Sequence, residues 1–289
     1  MTLACVSFVR AQVQEKVIID VAVTTDKGAL VAGLKPENFS VTVGKIPQGI
    51  VGFENGSSPV NIGILLDNSG SLKQSFSNVR EAMGSGFTRF IGNNNNANKY
   101  FVAAFNTQAP ILQDWASDPT KAVDQFYGFR FQGATLLFDS IFKGTQKVLT
   151  GPNPRNVLII MSDGQDSYSE ISFNKLRDFL QKTDVTVYCI GLLSGSDWGS
   201  SLGMEGQGVL DELASVTGGR ALFLPPGAKG RDLENIFEIL STELRSQYRI
   251  AIRRAGKGEW LKIKVRASHK DNGGKEQKLM TRHRELFFY

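Results

Sequence analysis

Four short apolar runs, each closed by polar or turn-forming residues, constrain this chain more tightly than any other feature. They are Ile62–Leu66, Tyr100–Phe105, Val157–Met161 and Val185–Ile190. Runs of five or six apolar residues suit strands buried on both faces of a parallel sheet, because helices cover both sides of such a sheet. The segments between them place apolar residues at helical spacing, as in Phe76, Val79, Met83, Phe87 and Phe90, or Leu137, Ile141 and Val148. A further helix is expected around Phe173, Leu176, Phe179 and Leu180, and another from Val209 to Val216, capped by Gly218 and Gly219. Ala221–Leu224 reads as a short strand, and Leu233, Ile236, Phe237, Leu240 and Leu244 form the stripe of a last helix. Pro110–Trp115 reads as a proline-bearing edge strand. This β-α alternation from 60 to 247 requires an α/β fold: a doubly wound, mostly parallel sheet with helices on both faces.

The two ends of the chain read differently. Val17–Thr24, Ser40–Val43 and Gly49–Phe53 are expected strands, with a turn at Asp26-Lys27-Gly28 and no helical periodicity before residue 60. After Ser246 the pattern returns to strands at Tyr248–Ile252, Trp260–Val265 and Leu279–Tyr289. In the second of these Lys262, Lys264 and Arg266 alternate with Leu261, Ile263 and Val265, the period of a half-exposed sheet. The expected organisation is one small β-sandwich formed by the two chain ends, 12–58 and 248–289, with the α/β domain of 59–247 inserted between them.

Charge supports a modest conclusion. The net charge is +5, and residues 249–289 hold twelve Lys/Arg against four Asp/Glu, a local +8 that leaves −3 for the remainder. The basic residues are interleaved with apolar ones, so they read as the solvated faces of strands, and no nucleic-acid partner is expected. Cys189 lies inside an apolar run and is expected to be a buried small hydrophobe; Cys5 lies in the N-terminal stretch, so no disulfide is expected in the mature protein. No apolar run of about 18 residues follows Met1, so no transmembrane segment is expected. The apolar stretch Leu3–Val9 followed by Arg10-Ala11 has the form of the back half of a secretory signal within residues 1–11. On that reading the protein is secreted or periplasmic; on the alternative, a true start at Met1, it is cytoplasmic.

The run Ile62–Leu66 ends in Asp67-Asn68-Ser69-Gly70-Ser71. Ligand sites of open α/β sheets lie just beyond the carboxyl ends of the strands. Asp67, Ser69 and Ser71 therefore leave the core together where such a fold binds ligands. Three hard oxygen donors in five residues, with no His or Cys nearby, point to Mg²⁺ or Mn²⁺.

This D-x-S-x-S string resembles the opening motif of the metal-ion-dependent adhesion site of von Willebrand factor A-type (vWA) domains. Gly133-Ala134-Thr135-Leu136-Leu137-Phe138-Asp139 is similar to that family's threonine loop, and Val157–Met161 followed by Ser162-Asp163-Gly164 is similar to its second apolar strand and aspartate. The β-rich ends, with Gly33-Leu34, Phe39 and Gln247-Tyr248, resemble those of a group of bacterial exported vWA proteins. The resemblance implies that Ser69 and Ser71 bind the ion directly and that Thr135 joins directly or through water. It assigns Asp67 and Asp163 to closer or longer range and Asn68, Gly133 and Gly164 to a partner-binding rim. A neutral direct shell would leave the ion electrophilic, so that a partner protein's Asp or Glu carboxylate completes the octahedron. The implied function is metal-dependent protein binding; the alternative is an envelope scaffold whose metal only stabilises the fold, and a polyanion binder working through the 249–289 charge ranks third.

Plainer and enzymatic readings fit less well. Helix capping by Asp67 and Ser69 leaves Thr135 and Asp163 unexplained. A phosphoryl-transfer aspartate of the haloacid dehalogenase type needs a second aspartate where Ser69 stands. Gly199-Ser200-Ser201-Leu202-Gly203 matches the G-x-S-x-G elbow, but it is expected in the middle of a long loop, 194–208, on the rim of the site. The histidines, His269 and His283, fall in the β-module, away from any such serine. Asp166 is expected as a loop carboxylate in water and Asp139 as a brace for the start of its own helix. No enzymatic activity is expected.

Overall fold

The computed structural model describes residues 16–56, 58–73, 75, 80–92, 97–108, 110–117, 128, 130–254, 259–270 and 276–288. In chain order the first strands are β1 (Lys16–Thr25), β2 (Phe39–Val43), β3 (Ile46–Gln48), β4 (Ile50–Asn55) and β5 (Val60–Asp67). The α/β region continues with α1 (Arg80–Gly92), β6 (Lys99–Phe105), β7 (Ile111–Ala116), α2 (Leu137–Val148) and β8 (Arg155–Ser162). It closes with α3 (Phe173–Gln181), β9 (Thr186–Leu192), α4 (Ser201–Ser215), β10 (Ala221–Leu224) and α5 (Gly230–Ser246). The last strands are β11 (Tyr248–Arg253), β12 (Trp260–Ala267), β13 (His269–Lys270), β14 (Glu276–Gln277), β15 (Leu279–Arg282) and β16 (Leu286–Phe288).

The central sheet runs β10-β9-β8-β5-β6-β7, parallel except for β7, which pairs antiparallel at the edge beside β6. Every residue of β5 is buried, because successive side chains enter opposite cores. Ile62, Ile64 and Leu66 pack with Met83, Phe87 and Phe90 of α1 and with Leu233, Phe237 and Leu240 of α5. Leu65 faces the other way, into the core shared by α2, α3 and α4. Full burial of each such aliphatic side chain contributes roughly 1.5–3 kcal/mol, which holds the strand ends in place under the loops above. Gly63 makes room there, since a Cβ on it would lie 2.5 Å from the Phe101 ring. The expected stripe positions Phe76 and Val79, the helical stretch before the Thr135 loop, and residues 1–11 lie outside the described residues.

One element differs from expectation. The Gly- and Ser-rich segment forms helix from Ser201, so α4 starts eight residues earlier than the expected Val209 and ends at Ser215. Its glycines serve close approach. A Cβ on Gly203 would lie 2.0 Å from the Asp197 carbonyl, and one on Gly206 would lie 2.3 Å from that of Asp163. Packing of backbone on backbone outweighs the cost of about 1 kcal/mol for each glycine in a helix.

The chain ends build two antiparallel four-stranded sheets, β15-β1-β11-β4 and β16-β12-β2-β3, around a shared core that includes Val21, Val41, Tyr248, Ile250, Ile263 and Val265. Lys262, Lys264 and Arg266 are exposed while Ile263 and Val265 are buried, as the alternation requires. The expected single strand over 279–289 is instead two, β15 and β16, which lie in different sheets. Between them His283 and Arg284 turn inward: His283 Nε2 accepts from the Val265 N–H at 3.1 Å, and Arg284 donates to the Val185 carbonyl at 2.9 Å. Arg282 donates to the Gly218 carbonyl at 2.6 Å and to the buried Glu243, which also takes Tyr188 Oη at 2.7 Å and pairs with Arg220 at 3.0 Å. These polar partners join the sandwich to the amino-terminal end of the parallel strands, opposite the face where Asp67 emerges.

Candidate metal centre

Asp67 is the last residue of β5, and Asp163 directly follows β8. The two strands are parallel neighbours with Leu66 level with Met161, so both carboxylates emerge side by side. Ser162 Oγ donates to Asp67 Oδ2 at 2.7 Å, and the Ser69 N–H donates to Asp67 Oδ1 at 2.9 Å. Ser69 Oγ and Ser71 Oγ lie 3.1 Å apart, and Ser71 hydrogen-bonds the Asp163 side chain. The chain thus links Ser162, Asp67, Ser69, Ser71 and Asp163 into one polar cluster. Ser69 opens a short 3-10 turn, yet its side chain makes no capping bond to it. Capping therefore does not account for that serine. Ser162 escapes the sequence reading, although its place as the last strand residue beside an aspartate was visible.

Thr135 joins this cluster through backbone contacts on two sides. The Gly70 N–H donates to the Gly133 carbonyl at 3.1 Å and the Gln132 N–H to the Asn68 carbonyl at 3.0 Å. On the other side the Ser167 and Tyr168 N–H groups donate to the Thr135 carbonyl at 2.9 and 3.3 Å. Gly133 has φ +78°, which a residue with a Cβ rarely adopts. Gly164, φ +84°, has the Gly206 carbonyl 2.2 Å from where a Cβ would stand, so the Asp163 loop rests directly on α4. Asn68 is half-buried and donates to the Arg130 carbonyl at 3.4 Å.

Two nearby carboxylates, one on the loop after β8 and one in the first turn of α2, behave differently from expectation. Asp166 is partly buried and accepts from the Phe138 N–H at 3.2 Å and from Ser169 Oγ at 2.6 Å, so it caps the first turn of α2. Asp139 accepts from the Glu170 and Ile171 N–H groups at 3.1 and 3.0 Å, bracing the neighbouring loop and not its own helix start. Together they fix the strand-to-helix loop that carries Asp163 against the one that carries Thr135.

The electrostatics are those of a site short of positive charge. Asp67, Ser69, Thr135 and Asp163 are all at most 4% exposed, while Ser71 is exposed. Burial, then the nearby Asp163 charge, pushes the Asp67 carboxyl from 3.8 up to about 7, against hydrogen bonds from Ser69 and Ser162 that lower it. Burial also raises Asp163, with Asp197 adding to the repulsion. Among the described residues neither carboxylate has a Lys, Arg or His ion-pair partner. Nor do the described residues include a group of three or more His, Cys, Asp and Glu fit to hold a metal. The oxygen atoms linked here are instead two carboxylates and the hydroxyls of Ser69, Ser71 and Ser162, with the buried Thr135 on the adjoining loop. This all-oxygen set with uncompensated negative charge suits a hard divalent cation of the Mg²⁺ or Mn²⁺ kind.

Solved structures share this fold. The BatB protein of Bacteroides thetaiotaomicron, described as a conserved hypothetical protein, is 16% identical with a TM-score of 0.50, covering 65% of this chain and 100% of its own. The vWF domain of the type V pili tip protein Mfa5 from Porphyromonas gingivalis is 10% identical with a TM-score of 0.51, covering 65% of this chain and 97% of its own. Proximal thread matrix protein 1 from the mussel byssus is 16% identical with a TM-score of 0.50, covering 75% of this chain and 51% of its own. At these identities the likeness is one of fold. No curated protein gives a significant match. The model of the von Willebrand factor type A domain matches residues 61–228, more than half of the 289 residues. The parallel sheet, the loops that gather at its carboxyl end and this match agree: the chain belongs to the von Willebrand factor type A domain family.

Proposed function

We propose that this protein is a divalent-metal-dependent protein-binding module that captures an Asp or Glu carboxylate of its partner. The observation that carries the reading is the pair of buried carboxylates, Asp67 and Asp163, linked through Ser69 and Ser71 and without a basic partner among the described residues. Ser69, Ser71 and Thr135 would hold Mg²⁺ or Mn²⁺, with Asp67 and Asp163 balancing its charge. When bound, the ion supplies an electrophilic position that a partner's carboxylate can fill. Asp67 orients the turn through the Ser69 N–H, and Ser162 holds Asp67 in place. Family membership supports protein interaction as the general role.

The role is binding and not catalysis. Ser200 caps α4, accepting from the Gly203 N–H at 3.0 Å, and Ser201 opens the helix with no strand directly before it. His283 is buried in the sandwich, bonded to Val265, and His269 lies on β13. A Ser-His pair therefore has no support. Action at a cell envelope or outside the cell fits the form of residues 1–11, and among the described residues no helix is long and apolar enough to cross a membrane.

Thermal melts test the reading, because a ligand that binds only the folded state raises the midpoint. The expected order is chelator, then Mn²⁺, then Mn²⁺ with excess glutamate-bearing peptide, and the peptide should have no effect in chelator. Asp67→Ala should flatten the series. A peptide effect of equal size in chelator would overturn carboxylate capture. A metal shift with no peptide effect would leave the ion a purely structural role.

A further inference from the structure

Three large apolar side chains stand exposed on two loops and a helix start that meet the site: Tyr168 at 73%, Trp198 at 41% and Leu202, in the first turn of α4, at 53%. Each is tied to a site element. The Tyr168 N–H donates to the Thr135 carbonyl at 3.3 Å. Gln165, two residues beyond Asp163, donates through Nε2 to the Leu202 carbonyl at 2.7 Å. Trp198 sits on the turn that follows β9, its N–H donating to the Ser194 carbonyl at 3.1 Å, and the adjoining Asp197 carbonyl packs on Gly203. With Gly164 seated on Gly206, these contacts make the Asp163 loop, the turn after β9 and the start of α4 one connected surface. The opposite side of the site is polar: Asn68 is half-buried, and Lys73 and Arg130 are exposed.

This asymmetry has a chemical meaning. Exposed aromatic groups such as Tyr168 and Trp198 on firmly anchored backbone lose little freedom on binding and supply much of the energy of protein interfaces, and an apolar neighbour such as Leu202 enlarges the patch. A partner that offered only a carboxylate would leave them in water. We infer that Tyr168, Trp198 and Leu202 form an apolar shelf that reads the partner beside its acidic residue. The inference rests on the carboxylate capture proposed above. The partner is a protein segment in extended form, with Asp or Glu adjoined within about two residues by an aromatic or aliphatic side chain. In an extended chain the side chains two positions apart lie on one face about 6–7 Å apart, so a residue two positions from the carboxylate turns toward the same surface as the carboxylate. Lys73 and Arg130, on the other side, favour further acidic residues there.

A library of phage-displayed random heptapeptides, panned on the full chain in Mn²⁺ and eluted with chelator, tests this directly. Enriched clones should pair Asp or Glu with an aromatic or aliphatic residue within two positions. A synthetic copy of one clone should bind at least ten-fold more weakly to the double variant Trp198→Ser, Leu202→Ser, measured by fluorescence polarisation. That variant should keep the wild-type melting midpoint in chelator and the wild-type shift with Mn²⁺. Enriched acidic peptides with random neighbours, or a double variant that binds as well as the wild type, would overturn the shelf and leave carboxylate capture standing. Recovery that does not depend on Mn²⁺, or no recovery, would overturn carboxylate capture and the shelf with it.

Discussion

Replacing Asp67 with Asn should stabilise the metal-free protein at neutral pH while abolishing its response to metal. In the fold the Asp67 carboxyl ionises only near about 7, against 3.8 without the surrounding structure, mainly because it is buried and secondly because Asp163 is close. Below pH 3.8 both states are protonated and nothing is lost. As pH rises from 3.8 to about 7 the folded state holds the extra proton, so stability falls, and above that range the full cost is present. At about 1.4 kcal/mol for each tenfold change in proton affinity, the cost is about 4 kcal/mol. Asn avoids it but cannot accept from both Ser162 Oγ and the Ser69 N–H as the carboxylate does, which costs about 1 kcal/mol. The net expectation in chelator at pH 8 is a gain of about 3 kcal/mol, or about 6 °C in a chain of this size. At pH 4 the gain should vanish or reverse. Urea denaturation in chelator at pH 4, 6 and 8, for wild type and Asp67→Asn, measures this. A variant less stable than wild type at pH 8, or a difference independent of pH, would refute the reasoning.

Other expectations follow from the same contacts. Gly206→Ala places a Cβ 2.3 Å from the Asp163 carbonyl and should cost about 1–3 kcal/mol and weaken Mn²⁺ binding, as melts and metal titration would show. Glu243→Ala leaves Arg220, Arg282 and Tyr188 without their shared buried partner and should cost about 3–5 kcal/mol in urea denaturation. Lys262→Ala, which breaks the exposed pair with Glu285, should change stability by less than about 1 kcal/mol in the same assay. His283 gives a pH dependence of opposite sign to Asp67. Burial lowers its folded pKa below 6.5, so stability is lost as pH falls from 6.5 through the folded value. His283→Phe should remove that acid-side loss and cost about 1–3 kcal/mol at pH 8, where the Val265 N–H loses its acceptor.

The parallel sheet was legible because burial on both faces leaves an unbroken apolar run, and Ile62–Leu66 can be little else. Asp67, Ser69 and Ser71 were legible because they close an apolar run, whereas Thr135 and Asp163 were legible through the resemblance to the family motif. What local pattern could not show was contact between distant segments. The glycines of α4 look like helix breakers until Asp163 and Asp197 are seen to lie against them. Asp166 looks solvated, and Asp139 looks like a brace for its own helix, until the N–H groups of Phe138, Glu170 and Ile171 are placed beside them. The split of 279–289 into two strands depends on His283 and Arg284 finding Val265 and Val185, partners 18 and 99 residues away. Ser162 was missed because a serine at the end of an apolar strand has no pattern of its own. Its role comes from the register that sets it beside Asp67.

The most direct test of the central claim is an electron paramagnetic resonance titration of Mn²⁺ into chelator-stripped protein. The account predicts one bound Mn²⁺ per chain, displaced by excess Mg²⁺, with affinity reduced at least ten-fold in Ser69→Ala and in Thr135→Ala. A folded protein that binds no Mn²⁺, or one whose binding is unchanged in both variants, would contradict it.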